Sequence, residues 1–201
     1  MADTISTYQQ AVAALLKDQG NEAWTMDELD AALRLALAEL SQRLPQALSA
    51  DVTLAEGGRQ VPLTSLTGCL WVEEAWWPYE EGNFPARTVS FEVRDGQLHL
   101  LTEAEPQAGD KVHLLYAGMQ TINELDGASS TTVPVAWRGV LVVGAAGYAA
   151  LAKAVMMTRE YSWPNDAAVA MRNWGEATLA LFQARLKGLR PPGRPAWVTW
   201  G

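Results

Sequence analysis

Cysteine, histidine and the short catalytic signatures are what this chain of 201 residues has least of. Its single cysteine, Cys69, excludes an intrachain disulfide framework and a cysteine metal cluster, and is compatible with a reducing compartment. The two histidines, His99 and His113, fall at outward positions of β-rich runs. Without a third ligand spaced nearby they are expected to face solvent rather than to hold a metal. No P-loop, G-x-S-x-G or HExxH stretch occurs, which removes the chemistries those spacings announce. No cofactor is expected, and the chain is read as non-enzymatic. The opening MADTISTYQQ has neither the basic end nor the apolar run of a secretory signal, so a cytoplasmic origin is expected.

Basic charge is also scarce: 15 Lys and Arg stand against 23 Asp and Glu, a net charge of -8. An acidic body argues against general nucleic-acid binding, which draws most of its affinity from phosphate neutralisation. The shortage is uneven. Residues 1–50 carry 3 basic and 7 acidic side chains, residues 51–126 carry 4 and 13, and residues 127–201 carry 8 and 3. After Glu176 no acidic residue follows, while Arg185, Lys187, Arg190 and Arg194 come in close order, a composition suited to an acidic protein partner. Nine tryptophans exceed what one core usually absorbs, so some are expected to face a partner.

The longest apolar segment runs from Val133 to Tyr161, VPVAWRGVLVVGAAGYAALAKAVMMTREY. It reads as one long helix, with Thr131 and Thr132 offering capping hydroxyls, Pro134 in the first turn and Pro164 at the far limit. Apolar side chains fill both sides, so the helix must be covered nearly all round. The uncharged run between Arg138 and Lys153 is shorter than the roughly 20 residues a bilayer requires, so no membrane span is expected. VLVVGAAGYAALA could also be a strand, a glycine turn and a helix of a dinucleotide fold, but the third glycine, the following acidic residue and repeated βα units are missing.

Before this helix, residues 5–18 read as a short amphipathic helix with Ser6 and Gln9 at capping-box spacing. A second follows from Met26, opened by Thr25 and Glu28 and stopped by Pro45. From Ala50 short β-rich runs take over, the clearest being ARTVSFEVRDGQLHLLT, a hairpin turning at Asp95-Gly96. Between two of these runs lies AWWPYEEGNFPA, an aromatic loop that either covers the sheet edge or contacts a partner. Glu73-Glu74 and Glu80-Glu81 flank and enter it, and acidic surface is the simpler reading than acid/base work. Beyond the long helix, Ala167, Met171, Trp174, Ala177, Leu181, Phe182 and Leu186 form a helical stripe, and the three prolines of LRPPGRPAWVTWG keep the tail extended.

Residues 107–160, above all GDKVHLLYAGMQTINELDGASSTTVPVAWRGVLVVGAAGYAALAKA, resemble the head-tail connector (adaptor) proteins of tailed bacteriophages. The matching positions are Tyr116 at a strand end, Leu125 to Gly127 as a Leu-Asp-Gly linker, Thr131 to Pro134 as a helix start, and the small-residue run Gly144 to Ala152. The opening YQQAVAALLKDQ with a second short helix is also similar to that family's N-terminal half. The resemblance implies a structural virion protein of the neck, made in the host cytoplasm. It implies a ring homo-oligomer, usually of twelve subunits, seated beneath the portal protein and leading to tail or neck proteins. DNA would pass through its channel without sequence-specific binding.

The fold class expected is α+β, a helical bundle with a long central helix and an inserted small antiparallel β domain. Its parts are residues 1–49 with 127–189 as connector core, residues 50–126 as the insert, and residues 190–201 as an extended C-terminal docking arm. The portal-docking arm would act through Arg190, Arg194, Trp197 and Trp200. A channel- or tail-facing acidic loop would comprise Glu73, Glu74, Glu80 and Glu81, and subunit packing would use Gly144, Gly147 and Tyr148. The alternative is a carbohydrate- or protein-binding module built on the aromatic loop at 75–84.

Overall fold

The computed structural model describes residues 3–20, 22–82, 87–159 and 165–189. They divide into two compact units, one up to Leu44 and from Gln120 onward, the other Pro45–Met119. The first holds α1 (Ile5–Leu15), α2 (Met26–Arg43), a 3-10 turn at Leu125–Gly127, α3 (Val135–Arg159) and α4 (Asn165–Gly188).

Local chemistry sets the helix ends. At α2 the Thr25 hydroxyl accepts from the Glu28 N–H at 3.3 Å while the Glu28 carboxylate accepts from the Thr25 N–H at 2.7 Å, a reciprocal capping box. The expected box at Ser6 and Gln9 does not form. α1 starts instead after Thr4, which gives no side-chain cap, and the Ile5 N–H is taken by the Asn123 carbonyl at 3.0 Å. Between α1 and α2 the Asp18 carboxylate accepts from the N–H groups of Glu22, Ala23 and Trp24 at 2.9, 3.1 and 2.9 Å. Thr131 and Thr132 are not caps of α3 either. Their hydroxyls accept from the N–H groups of Asn123 and Thr121, both at 2.8 Å, and so staple the loop that leads into it.

α3 packs on α4, α2 and α1, burying Trp137, Leu141, Ala145, Ala146 and Ala149 with Leu29, Leu33 and Leu40 of α2 and Phe182 of α4. Fully burying one such leucine or phenylalanine contributes about 1.5 to 3 kcal/mol. By length and composition alone α3 could cross a membrane, since an 18-residue window within it has a mean hydropathy of 1.8, yet 61% of that window is buried inside the protein. The uncharged run that ends at Lys153 undercounts this length, because the apolar character continues past the lysine through Val155, Met156 and Met157.

The second unit is one antiparallel sheet of β1 (Gln46–Thr53), β2 (Gln60–Pro62), β3 (Cys69–Trp76), β4 (Thr88–Arg94), β5 (Gln97–Leu101) and β6 (Lys111–Gly118), in the order β1-β6-β3-β4-β5-β2. Its core gathers Val52, Leu54, Val61, Val72, Ala75, Trp77, Leu98, Leu100, Val112 and Leu114. Register shifts in β3 between Cys69 and Trp71 and between Val72 and Glu74 add residues to one strand. Val72 and Ala75 can therefore both point inward although three apart, and the sheet bends there. The β4–β5 hairpin turns at Asp95 and Gly96, whose φ values of 51° and 73° suit the tight turn its right-handed twist requires.

These facts correct the expected helical bundle with a long central helix and an inserted small antiparallel β domain. The chain is α+β with four helices among its described residues and a six-stranded, curled antiparallel sheet that is a main layer rather than a small insert. Two physical reasons apply. The sheet buries its own apolar face through bulging and twist, gathering a core from its own strands and loops. It also gains length where the sequence signal is faint: β1 begins at Gln46, and its inward positions Leu48 and Ala50 sit among small and polar residues that give no β-branched run. Nor is α3 covered all round, for Val135, Val155 and Met156 are exposed.

Candidate functional site

The most organised polar and aromatic group lies on the outer side of the sheet. Along β6, Val112, Leu114 and Tyr116 are buried, so His113 and Leu115 point the other way. Register places His113 between Asp51 of β1 and Trp76 of β3. The His113 Nδ1 lies 2.5 Å from the Asp51 carboxylate, and its ring stacks with Trp76 at 5.0 Å and with Tyr79 at 4.5 Å between centroids. The Tyr79 N–H donates to the Lys111 carbonyl at 3.3 Å, which returns the loop over the strand. Burial, then the charges of Asp51 and Glu81, push the Tyr79 hydroxyl above its ordinary range. Sequence reasoning placed His113 facing outward but missed its partners, because Asp51 meets it only through the β1–β6 register.

This arrangement uses its own side chains on each other. The His113 side chain is only 14% exposed, with one nitrogen committed to Asp51. Trp77, the next aromatic of the loop, is buried in the sheet core, with its indole N–H donating to Asp110 at 3.2 Å. The described part of the loop, up to Gly82, thus lies over the sheet with Trp76 and Tyr79 half-buried, and Phe84 lies outside the described residues. His99 stands on β5, three strand positions from β6 or roughly 14 Å at ordinary strand spacing, so the two histidines do not form a pair. Among the described residues no group of three or more His, Cys, Asp or Glu could hold a metal ion.

The four glutamates divide into two pairs of different exposure. Glu73 and Glu74 are half-buried at the β3 bulge, with Glu74 accepting from the Trp76 indole N–H at 3.2 Å, while Glu80 and Glu81 are exposed after the cis Trp77-Pro78 bond. A concavity on this sheet is lined instead by Arg59, Glu92, Arg94, His99 and Glu103.

Within the helical unit, the small-residue run packs against the same chain. A Cβ on Gly144 would meet the Phe182 ring at 2.9 Å, and one on Gly147 would meet Leu179 at 2.8 Å. Tyr148 donates its hydroxyl to Glu39 of α2 at 2.7 Å, and burial, with that bond and the Glu39 charge, pushes it up to about 12. Leu125 is buried, Asp126 pairs with Arg34 at 2.8 Å, and Tyr116 is buried in β6. Arg190, Arg194, Trp197 and Trp200 lie outside the described residues, as does the whole docking arm. Compared with known proteins, the chain matches no family model and no curated protein.

Proposed function

We propose that this is a non-enzymatic structural protein of the virion neck, a head-tail connector that joins the portal to the tail and surrounds the passing DNA. One observation carries the reading. From Tyr116 to Ala152 a strand end, the Leu125–Gly127 turn, a loop stapled by Thr131 and Thr132, and a small-residue helix follow in the order that family has. Two further features support it: the acidic surface of Asp51, Glu80 and Glu81 would repel DNA rather than hold it, and the chain's basic, proline-rich end with Trp197 and Trp200 has the composition of an interface anchor. On this reading several copies, twelve in the related proteins, form a ring, and each tail contributes to a multivalent grip on the portal.

The test is truncation after Leu189, with particle assembly followed by electron microscopy. Full-length protein forms closed rings with portal and restores infectious particles. The truncated chain keeps its helical and sheet spectra but yields heads that neither retain DNA nor join tails. Normal particles from the truncation, or full-length protein that never associates with portal, would overturn the proposal.

A further inference from the structure

α4 has two apolar faces, and its fold uses one. Ala168, Gly175, Phe182 and Leu186 are buried against α3, with Met171 and Leu179 beside them. Trp174 and Leu181, which the sequence pattern groups in that stripe, point away, 39% and 45% exposed. With the exposed Ala170, Ala177 and Ala184 they step along the helix as Ala170, Trp174, Ala177, Leu181, Ala184, at alternating intervals of four and three. That is the heptad seam of a helix pair, running roughly 20 Å at the rise of an α-helix. In it alanine holds every seventh place while the larger side chains fall between.

The seam specifies its own partner. In a parallel pair, Trp174 would face Trp174 and Leu181 would face Leu181, crowding two layers and leaving gaps at the alanines between. In an antiparallel pair each large side chain meets a small one: Trp174 lies against Ala177 of the second copy, Leu181 against Ala170, and Ala167 against Ala184. The same register brings the exposed Asp166 of each copy beside the exposed Lys187 of the other, one opposite-charge pair at each end. On the other edge Met171 lies beside Thr178 of the second copy, so no like charges meet along the seam. Volume and charge agree on one orientation.

We propose that the outward face of α4 pairs antiparallel with the same face of a second copy. The contact is isologous and closes at two chains, unlike the head-to-tail contacts of a ring. It goes beyond the connector reading and does not rest on it: a two-fold pair sets its two copies upside down to one another, so they could not both take equivalent places in one head-to-tail ring, and the pair is the state of the free chain before any such assembly.

The test is light scattering on the purified full-length chain and three variants, with circular dichroism to verify folding. Wild type gives twice the 21.9 kDa chain mass. Leu181→Glu, on an exposed position, stays folded and weakens association by roughly a hundredfold, since it places two charges in an apolar seam. Asp166→Lys weakens it by roughly tenfold, and Asp166→Lys with Lys187→Asp restores it, because the exchanged charges still meet at both ends. A monomer at all concentrations, a dimer indifferent to Leu181→Glu, or a double variant no better than Asp166→Lys would each overturn the pairing. A monomer that dimerises only after truncation past Leu189 would overturn it too, assigning the face to the chain's own tail.

Discussion

The carbonyl oxygen of Gly147 lies 3.2 Å from the point where a Cβ on Gly175 would stand. α3 and α4 therefore cross almost backbone to backbone, and the side chains on either side, Leu151 and Leu179, close over the gap. Such an approach leaves no room for another carbon, which makes both glycines steric requirements rather than helix weaknesses.

Gly147→Leu is expected to destabilise the helical unit by about 1 to 3 kcal/mol through overpacking, lowering Tm by roughly 2 to 10 °C. Gly139 is the control. It sits in the same helix, and a Cβ there would meet nothing within 4 Å, so Gly139→Ala should gain about 0.5 to 1 kcal/mol from lost unfolded-state freedom. Thermal melts followed by circular dichroism separate the two; equal shifts would mean the α3–α4 contact is looser than its geometry.

Asp18 clasps the loop between α1 and α2. Burial alone would raise its carboxyl, but the N–H donors of Trp24, Ala23 and Glu22, with the Lys153 charge, outweigh burial and hold it below its ordinary value of 3.8. A depressed carboxyl contributes stability that is present above the unfolded value and lost as pH falls through the folded one. Asp18→Asn should therefore cost about 1 to 3 kcal/mol at neutral pH. The difference from wild type should vanish at acid pH. Urea melts across pH measure both, and a gap that persists in acid would contradict the clasp.

Tyr148 and Tyr8 are both pushed up to about 12, chiefly by burial, with the carboxylates of Glu39 and Asp3 respectively beside them. A raised hydroxyl stabilises the fold at pH below its unfolded value near 10, and that contribution is lost as pH rises through 12. In an alkaline titration followed by ultraviolet difference absorbance, these two should ionise well above the ordinary value of 10. Tyr148→Phe should remove one late step and cost about 0.5 to 1.5 kcal/mol through the lost bond to Glu39.

Reversing Glu73, Glu74, Glu80 and Glu81 to Lys tests the acidic surface. On the connector proposal, the expected outcome is a folded chain by circular dichroism whose particles eject DNA poorly, because cationic side chains would hold the phosphates that a conduit must release. Unchanged ejection would reduce these residues to a solvated face.

Some of this protein was settled locally. Thr25 and Glu28 cap α2 because three residues of helix bring each side chain to the other's backbone, and Asp95-Gly96 turns the hairpin because those two residues tolerate positive φ. Neither needs the rest of the chain. The extent of the sheet, the use of each face of α4 and the partners of His113 were decided only in three dimensions. β1 has too few β-branched residues to declare itself, and it becomes a strand because β6 offers it a complete ladder. Trp174 and Phe182 look alike as members of an apolar helix, and it is the missing side chains of Gly144 and Gly175 that draw one face of α4 onto α3 and leave Trp174 on the other. Asp51 and His113 are 62 residues apart, and only strand register brings an acid to an imidazole across that distance.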